Sequence, residues 1–419
     1  MKKADVALLC GASVLSLGAA AAALVFILHE HRFPVKNYFY ADPRMGYDIR
    51  ENVPPSKYYE TKEIGDYMIW SNELGCYDEP YAGPGGPARA HVLLVGDSFT
   101  QGATFEGSWG KTLQELTGRR VLKCGVTGSG LRQELLKAEK TIGKTGVAPR
   151  LIVVGYFMND LEEDYLFPPR TVIGGWVATL KRIGDYETGA VAETPYDVKE
   201  REVQTWEREG GGAPCRADTP ARRLGCWLYR RTALYYGARN AVLSGWRAAR
   251  SVKKTAGSAV PPYIAWQPVE GRPWLKKAWE DHLANLNGFK KLAGAQGSKL
   301  LVVVIPAREQ VYGFLGDAAK AGYPGLDPEL PNRFVRERLR RENIEILDLT
   351  SPFHLHADQT ARPHLDAEKD LYYRYNGHWN LNGQRLAGLL TARHILEKRM
   401  ISAPERDVKL AAIERELSR

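Results

Sequence analysis

Five short apolar runs recur along the chain: His91–Val95 (HVLLV), Arg120–Cys124 (RVLKC), Leu151–Phe157 (LIVVGYF), Leu300–Ile305 (LLVVVI) and Ile344–Leu349 (IEILDL). Such runs read as strands of a parallel sheet buried on both faces. Between most of them the apolar positions take helical spacing, in WGKTLQELTG, GLRQELLKAEKTIG, PWLKKAWEDHLANLNGFKKLAGAQG and PNRFVRERLRREN. A closing helix is expected from about Gly383 to Arg399. Strands alternating with helices predict an α/β domain, a parallel sheet covered by helices on both faces.

The rhythm breaks in two places. Residues 33–90 are rich in Pro, Gly and Tyr and read as a linker with an irregular lead-in to the main domain, 91–400. From about Glu162 to Arg272 the chain holds FPPR, EREGGGAPC, SAVPP and a basic, aromatic helix beginning CWLYRRTALYY. This reads as a helical insertion between the third and fourth strands. Its bases suit a solvated or membrane-proximal face, with a groove for an anionic polymer as the sharper alternative. Residues 401–419 read as a charged tail.

The N-terminus changes the picture. Val6–Leu28 carries no charged residue, enough to cross a bilayer as one helix, and Lys2 and Lys3 precede it. Residues 1–32 are therefore expected to be a single-pass anchor that leaves the rest outside the cytoplasm. A signal peptide cleaved near the alanine run Ala19–Ala23 is the alternative. With 419 residues, 44 % of them hydrophobic, the chain can bury a sizeable core. A net charge of +9 is mild for this size and calls for no nucleic-acid partner. Five cysteines include Cys10 in the apolar segment; Cys215 with Cys226 and Cys76 with Cys124 are possible disulfide pairs, as are other pairings or free thiols. No cysteine or histidine cluster has metal spacing, so neither metal nor cofactor is expected.

Ligands of open parallel sheets gather at the carboxyl ends of the strands. After the first strand come Gly96, Asp97 and Ser98; after the second, Gly125–Gly128; after the third, Met158, Asn159 and Asp160; after the fourth, Arg308 and Glu309. His378 lies in YNGHWNLNG, between the fifth strand and the last helix. A hydroxyl, a small-residue loop, an amide and a base thus share one rim.

The blocks GDSFTQG, GVTGSG, GYFMND and NGHWNLNG, in that order, resemble those of the SGNH or GDSL-type hydrolases. With the apolar N-terminus and VVVIPAREQVY, the chain looks like bacterial envelope members of that family, relatives of polysaccharide O-acetylation proteins. The resemblance implies a three-layer α/β/α, flavodoxin-like fold on a central parallel five-stranded sheet. It also implies that Ser98 attacks an ester carbonyl, that His378 is the base, and that Ser98, Gly128 and Asn159 donate to the oxyanion. Each such donor is worth about 3–4 kcal/mol of barrier. Asp97 and Asp160 are expected to hold loop amides.

One position departs from the family pattern. Members usually carry an aspartate two or three residues before the histidine, where this chain has Asn376 and Tyr375. Asn376 or a backbone carbonyl could orient the base, or an acid elsewhere could; Asp370 is preferred to Asp348 as nearer in sequence. Arg308 could meet a sugar carboxylate or hydroxyl. Three functions follow. One is an envelope-anchored esterase removing acetyl or another short acyl group from a carbohydrate. The second is an O-acyltransferase using the same serine and histidine. The third is a non-catalytic glycan-binding or scaffold member of an exopolysaccharide synthesis or export complex.

Overall fold

The computed structural model describes residues 37–59, 66–83, 86–87, 91–194 and 263–418, apart from 103, 147, 174, 314–324, 358–369 and 374–375, together with Ile64 and a few isolated positions in 13–20 and 219–224. Nearly all of these belong to one compact unit, 35–195 with 260–419. The segment 6–28 expected to form an anchor, the basic helix of the insertion and the pair Cys215–Cys226 lie wholly or largely outside the described residues. Among the described residues no helix is long and apolar enough to cross a membrane.

The five apolar runs form one parallel sheet: β1 (Val92–Gly96), β2 (Val121–Lys123), β3 (Leu151–Tyr156), β4 (Lys299–Val304) and β5 (Glu345–Asp348), in the order β5-β4-β3-β1-β2. Every residue of β1 and β3 is buried, because both strands are interior and both faces are covered. The edge strand β5 is only half-buried. One layer contains α2 (Trp109–Thr117), α9 (Leu381–Glu397) and α10 (Arg406–Leu417). The other contains α3 (Leu131–Thr145), α4 (Asp160–Tyr165), α5 (Pro273–Gln296) and α7 (Leu330–Arg341). This is the flavodoxin-like order. The chain leaves β1 toward one edge and returns at β3 toward the other, so a crevice opens at the carboxyl ends between β1 and β3. The register levels those ends, with Gly96 opposite Gly155 and Val304 opposite Tyr156 and Asp348.

Three stretches read as irregular or peripheral have definite structure. The lead-in forms antiparallel hairpins, among them Phe39–Asp42 with Gly46–Ile49 and Ser56–Tyr59 with Asp66–Ile69. It buries a small second core of Tyr38, Tyr47, Ile49, Val53, Ile69 and Tyr77 against Phe105 and Val126. The tyrosines can be buried because each hydroxyl finds a carbonyl: Tyr38 donates to Trp70 O (3.2 Å), Tyr77 to Met68 O (2.6 Å) and Tyr47 to Thr127 O (2.5 Å). A Cys76–Cys124 disulfide ties this lead-in to the end of β2. The insertion leaves the end of α4 and first forms two hairpins, Arg170–Ile173 with Trp176–Thr179 and Lys181–Asp185 with Ala190–Glu193, and its expected basic helix lies outside the described residues. Near the end of the insertion, Ile264, Ala265 and Trp266 are buried in the main core. The charged C-terminal segment is helix α10, anchored by the fully buried Ile413.

Candidate active site

Strand β1 ends at Gly96 and turns directly into a short helix, α1 (Ser98–Gln101). The helix cap is Asp97, not Ser98: its Oδ1 accepts from Phe99 N at 2.9 Å. Ser98 is therefore free of capping duty and half-exposed at the rim. Its Oγ lies 2.7 Å from His378 Nε2, although 280 residues separate the two.

Local structure explains the position of His378. The loop before α9 folds back on itself, with Tyr372 bridged to Trp379 and Tyr373 N donating to His378 O at 2.8 Å. Trp379 is buried between Phe99 and Phe353, at ring distances of 5.1 Å to each. Phe99, next in sequence to the serine, also packs on the imidazole at 4.8 Å. One aromatic residue thus holds both partners of the pair.

The other ring nitrogen meets Asn376. His378 Nδ1–H donates to Asn376 Oδ1, and the same oxygen accepts from His378 N at 3.4 Å. An amide oxygen can only accept, so it keeps the proton on Nδ1 and leaves Nε2 as acceptor for the serine hydroxyl. Asp370 does not take this place. Its Oδ1 accepts from Tyr312 Oη, and its carbonyl accepts from Asn380 Nδ2 at 2.6 Å, an arrangement that builds the loop instead. Asp348 is engaged by Thr350 N, Asn332 and Arg336 at the end of β5.

Gly128 and Asn159 stand at the ends of β2 and β3, where the sequence places them. Gly128 has φ +75°, a region that favours glycine, and a Cβ there would lie 2.7 Å from Arg170 Nη1. Gly125 is glycine for a different reason: a Cβ would meet Gln101 N at 2.4 Å, so the β2 loop could not lie against α1. Asn159 begins α4 in helical conformation, and its Oδ1 is buried with no partner among the described residues. Arg308 sits beyond β4 at the start of α6 (Arg308–Tyr312), 3.6 Å from Glu309.

Sequence reading missed what lies beneath the rim. Asp97, Glu134 and Asp160 are buried together, and burial pushes each carboxyl up, that of Asp97 to about 7. Asp97 and Asp160 also bond loop amides, of Phe99 and Phe157. Nearby, Asp164 pairs with His282 Nδ1 at 2.7 Å. The inward turn of Glu134 in an amphipathic helix had no signal in the sequence. Among the described residues, no group of His, Cys, Asp and Glu could hold a metal ion.

A rim serine within hydrogen-bond reach of an imidazole, whose other ring nitrogen is held by an amide oxygen, is an arrangement that can activate a hydroxyl as a nucleophile. Residues 272–418 match the family model described as SGNH hydrolase-like domain, acetyltransferase AlgX. That span carries Arg308, Asn376 and His378 but not Ser98. Among solved structures the chain is similar to an acetyl xylan esterase (12 % identity, 73 % of this chain and 98 % of that one, TM-score 0.35). It is also similar to a catalytic mutant of an acetylxylan esterase from Geobacillus stearothermophilus (11 %, 74 % and 95 %, 0.35). A third is an alpha/beta hydrolase from the metagenome of Lake Arreo, Spain (9 %, 75 % and 98 %, 0.36). No curated protein matches the chain.

Proposed function

We propose that this protein moves a short acyl group, acetyl first among them, from an ester of a carbohydrate through an acyl-enzyme on Ser98. The 2.7 Å contact between Ser98 Oγ and His378 Nε2 carries the proposal. His378 takes the hydroxyl proton as Ser98 attacks the ester carbonyl, and returns it to the departing sugar oxygen. The backbone N–H groups of Ser98 and Gly128 and the Asn159 amide receive the negative charge of the tetrahedral intermediate. Water then releases the acyl group as a free acid and regenerates the serine, which makes the protein an esterase. Arg308, on the same rim, suits a hydroxyl or carboxylate of the sugar.

A second reading is favoured by the acetyltransferase family that residues 272–418 match: a sugar hydroxyl replaces water and the protein is an O-acyltransferase of a polysaccharide pathway. In either reading the apolar, uncharged Val6–Leu28 supports a single-pass anchor in the bacterial inner membrane, with the catalytic unit facing the periplasm.

A fluorophosphonate probe tests the shared chemistry. Mass spectrometry should find the adduct on Ser98 and none in Ser98→Ala; a folded wild-type chain without adduct ends both readings in favour of a binding or scaffold role. Incubation with an activated acetyl ester and an oligosaccharide then separates the two, since free acetate marks the esterase and acetylated sugar the transferase.

A further inference from the structure

We propose that Tyr47, from the hairpin ahead of the main sheet, is a positioning residue of the oxyanion site that acts through the Thr127–Gly128 peptide group. The inference rests on the acyl-enzyme reading above. The Gly128 N–H and the Thr127 carbonyl belong to a single planar amide and point in opposite directions. Tyr47 Oη donates to that carbonyl at 2.5 Å, so it fixes the plane of the amide and hence the aim of the N–H on its far side. A hydrogen bond accepted by a carbonyl also polarises its amide and makes the attached N–H a stronger donor. The tyrosine therefore acts on the oxyanion through a peptide bond, without touching substrate.

The groups on either side of this amide are engaged elsewhere. Gln101 Oε1, at the end of the helix that begins with Ser98, accepts from Thr127 N at 3.0 Å and from Thr127 Oγ1 at 2.9 Å. Arg170 Nη1 donates to the Gly128 carbonyl at 2.8 Å and is paired with Glu163 at 2.8 Å. The Gly128 N–H itself has no acceptor among the described residues. Tyr47 is buried, 1 % exposed, and a Cβ on Gly128 would come within 3.1 Å of its hydroxyl. Burial pushes the phenol pKa up, against the pull of Arg170, so the group remains a donor at any working pH.

Tyr47→Phe in the full chain keeps the ring and deletes the donor. With an activated acetyl ester, kcat should fall about tenfold with KM unchanged, less than the loss of a direct oxyanion donor. Affinity for a trifluoromethyl ketone, which forms an oxyanion on Ser98, should fall by the same factor. Tyr38→Phe is the control: it removes a similar hydroxyl-to-carbonyl bond from the same small core, but to Trp70 O and not to the peptide in question. It should leave kcat and ketone affinity as in the wild type. Should Tyr47→Phe fail to fold, 3,5-difluorotyrosine incorporated at position 47, which keeps the ring and makes the hydroxyl a stronger donor to Thr127 O, should raise ketone affinity. Wild-type kcat and ketone affinity in Tyr47→Phe, or wild-type ketone affinity in the difluorotyrosine chain where it stands in, overturns the inference. Equal losses in Tyr38→Phe overturn it as well, because they make the effect one of stability. Failure of the underlying reading shows separately, as a wild-type chain that gives no fluorophosphonate adduct on Ser98.

Discussion

At the scale of single residues, the pair Asn376 and His378 departs most from expectation. An aspartate behind a catalytic histidine does two things: it selects the tautomer and it stabilises the imidazolium. The Asn376 oxygen performs the first and, being neutral, not the second. The two functions can therefore be separated by substitution. Asn376→Asp should leave kcat equal or raise it, because the acceptor remains and a charge is added. Asn376→Leu, which removes the acceptor, should lower kcat at least tenfold, in the direction of the roughly 10⁴-fold loss seen when the wrong tautomer is imposed on a serine-protease triad. Steady-state kinetics on the activated ester decides this, and complete inactivation by Asn376→Asp would show a role for the amide nitrogen.

Among the elements, the four-residue helix α1 could not persist alone, since nucleation of so short a helix is unfavourable. It holds because both ends are tied. Asp97 caps one end, and Lys123 Nζ donates to Gln101 O at 2.5 Å at the other. Lys123 precedes Cys124, whose disulfide to Cys76 spans 48 residues of sequence. The lead-in hairpins, the end of β2 and the Ser98 turn are thus one connected body. A loop of that length restrains the unfolded chain by about 4 kcal/mol in the chain-entropy model, and measured effects are commonly about 2–4 kcal/mol. The double variant Cys76→Ala, Cys124→Ala should lose stability of that order in urea unfolding, with activity at low temperature retained. An unchanged midpoint would mean that hydrophobic contacts of the small core already hold the lead-in.

For the whole molecule, the buried acids make stability depend on pH. Burial raises the carboxyl pKa values of Asp97, Glu134 and Asp160, and neighbouring carboxylates raise them further: Glu163 for Asp97, Asp97 and Asp164 for Glu134, and Glu134 and Asp97 for Asp160. Between about pH 4, where an unfolded carboxyl releases its proton, and the Asp97 value of about 7, the folded chain holds protons that the unfolded chain has lost. Stability must then fall as pH rises through that window. His394, whose pKa burial lowers, opposes this, while Asp78, Glu162, Glu163 and Glu329, whose carboxyls burial also raises, add to it. Lys123, held down to about 7 by burial, restores stability only above that pH. The midpoint of thermal unfolding should drop by about 5 °C between pH 5 and pH 7, and Glu134→Gln should flatten the slope. A flat or rising profile in the wild-type chain would show that these carboxyls are ionised in the fold.

Much of this molecule was legible in one dimension, because the relevant physics is local. Short continuous apolar runs rich in β-branched residues and set between helical patterns fit strands covered on both sides, and α5, α7 and α9 lie where periodicity puts them. The carboxyl-end rule then brings Ser98, Gly128, Asn159 and His378 to a single rim. The sequence by itself thus determined the parallel sheet and the residues at its lip. Only the tertiary structure decided what stands behind them. Whether Asn376 or Asp370 reached the imidazole depended on a loop closed by Trp379 packing. Tyr47 and Arg170 came from stretches that read as linker and insertion, because their partners are backbone carbonyls at sequence separations of 80 and 42 residues. A carbonyl is present at every position and leaves no mark on composition, so which one a distant hydroxyl or guanidinium meets is settled only when the chain has closed on itself.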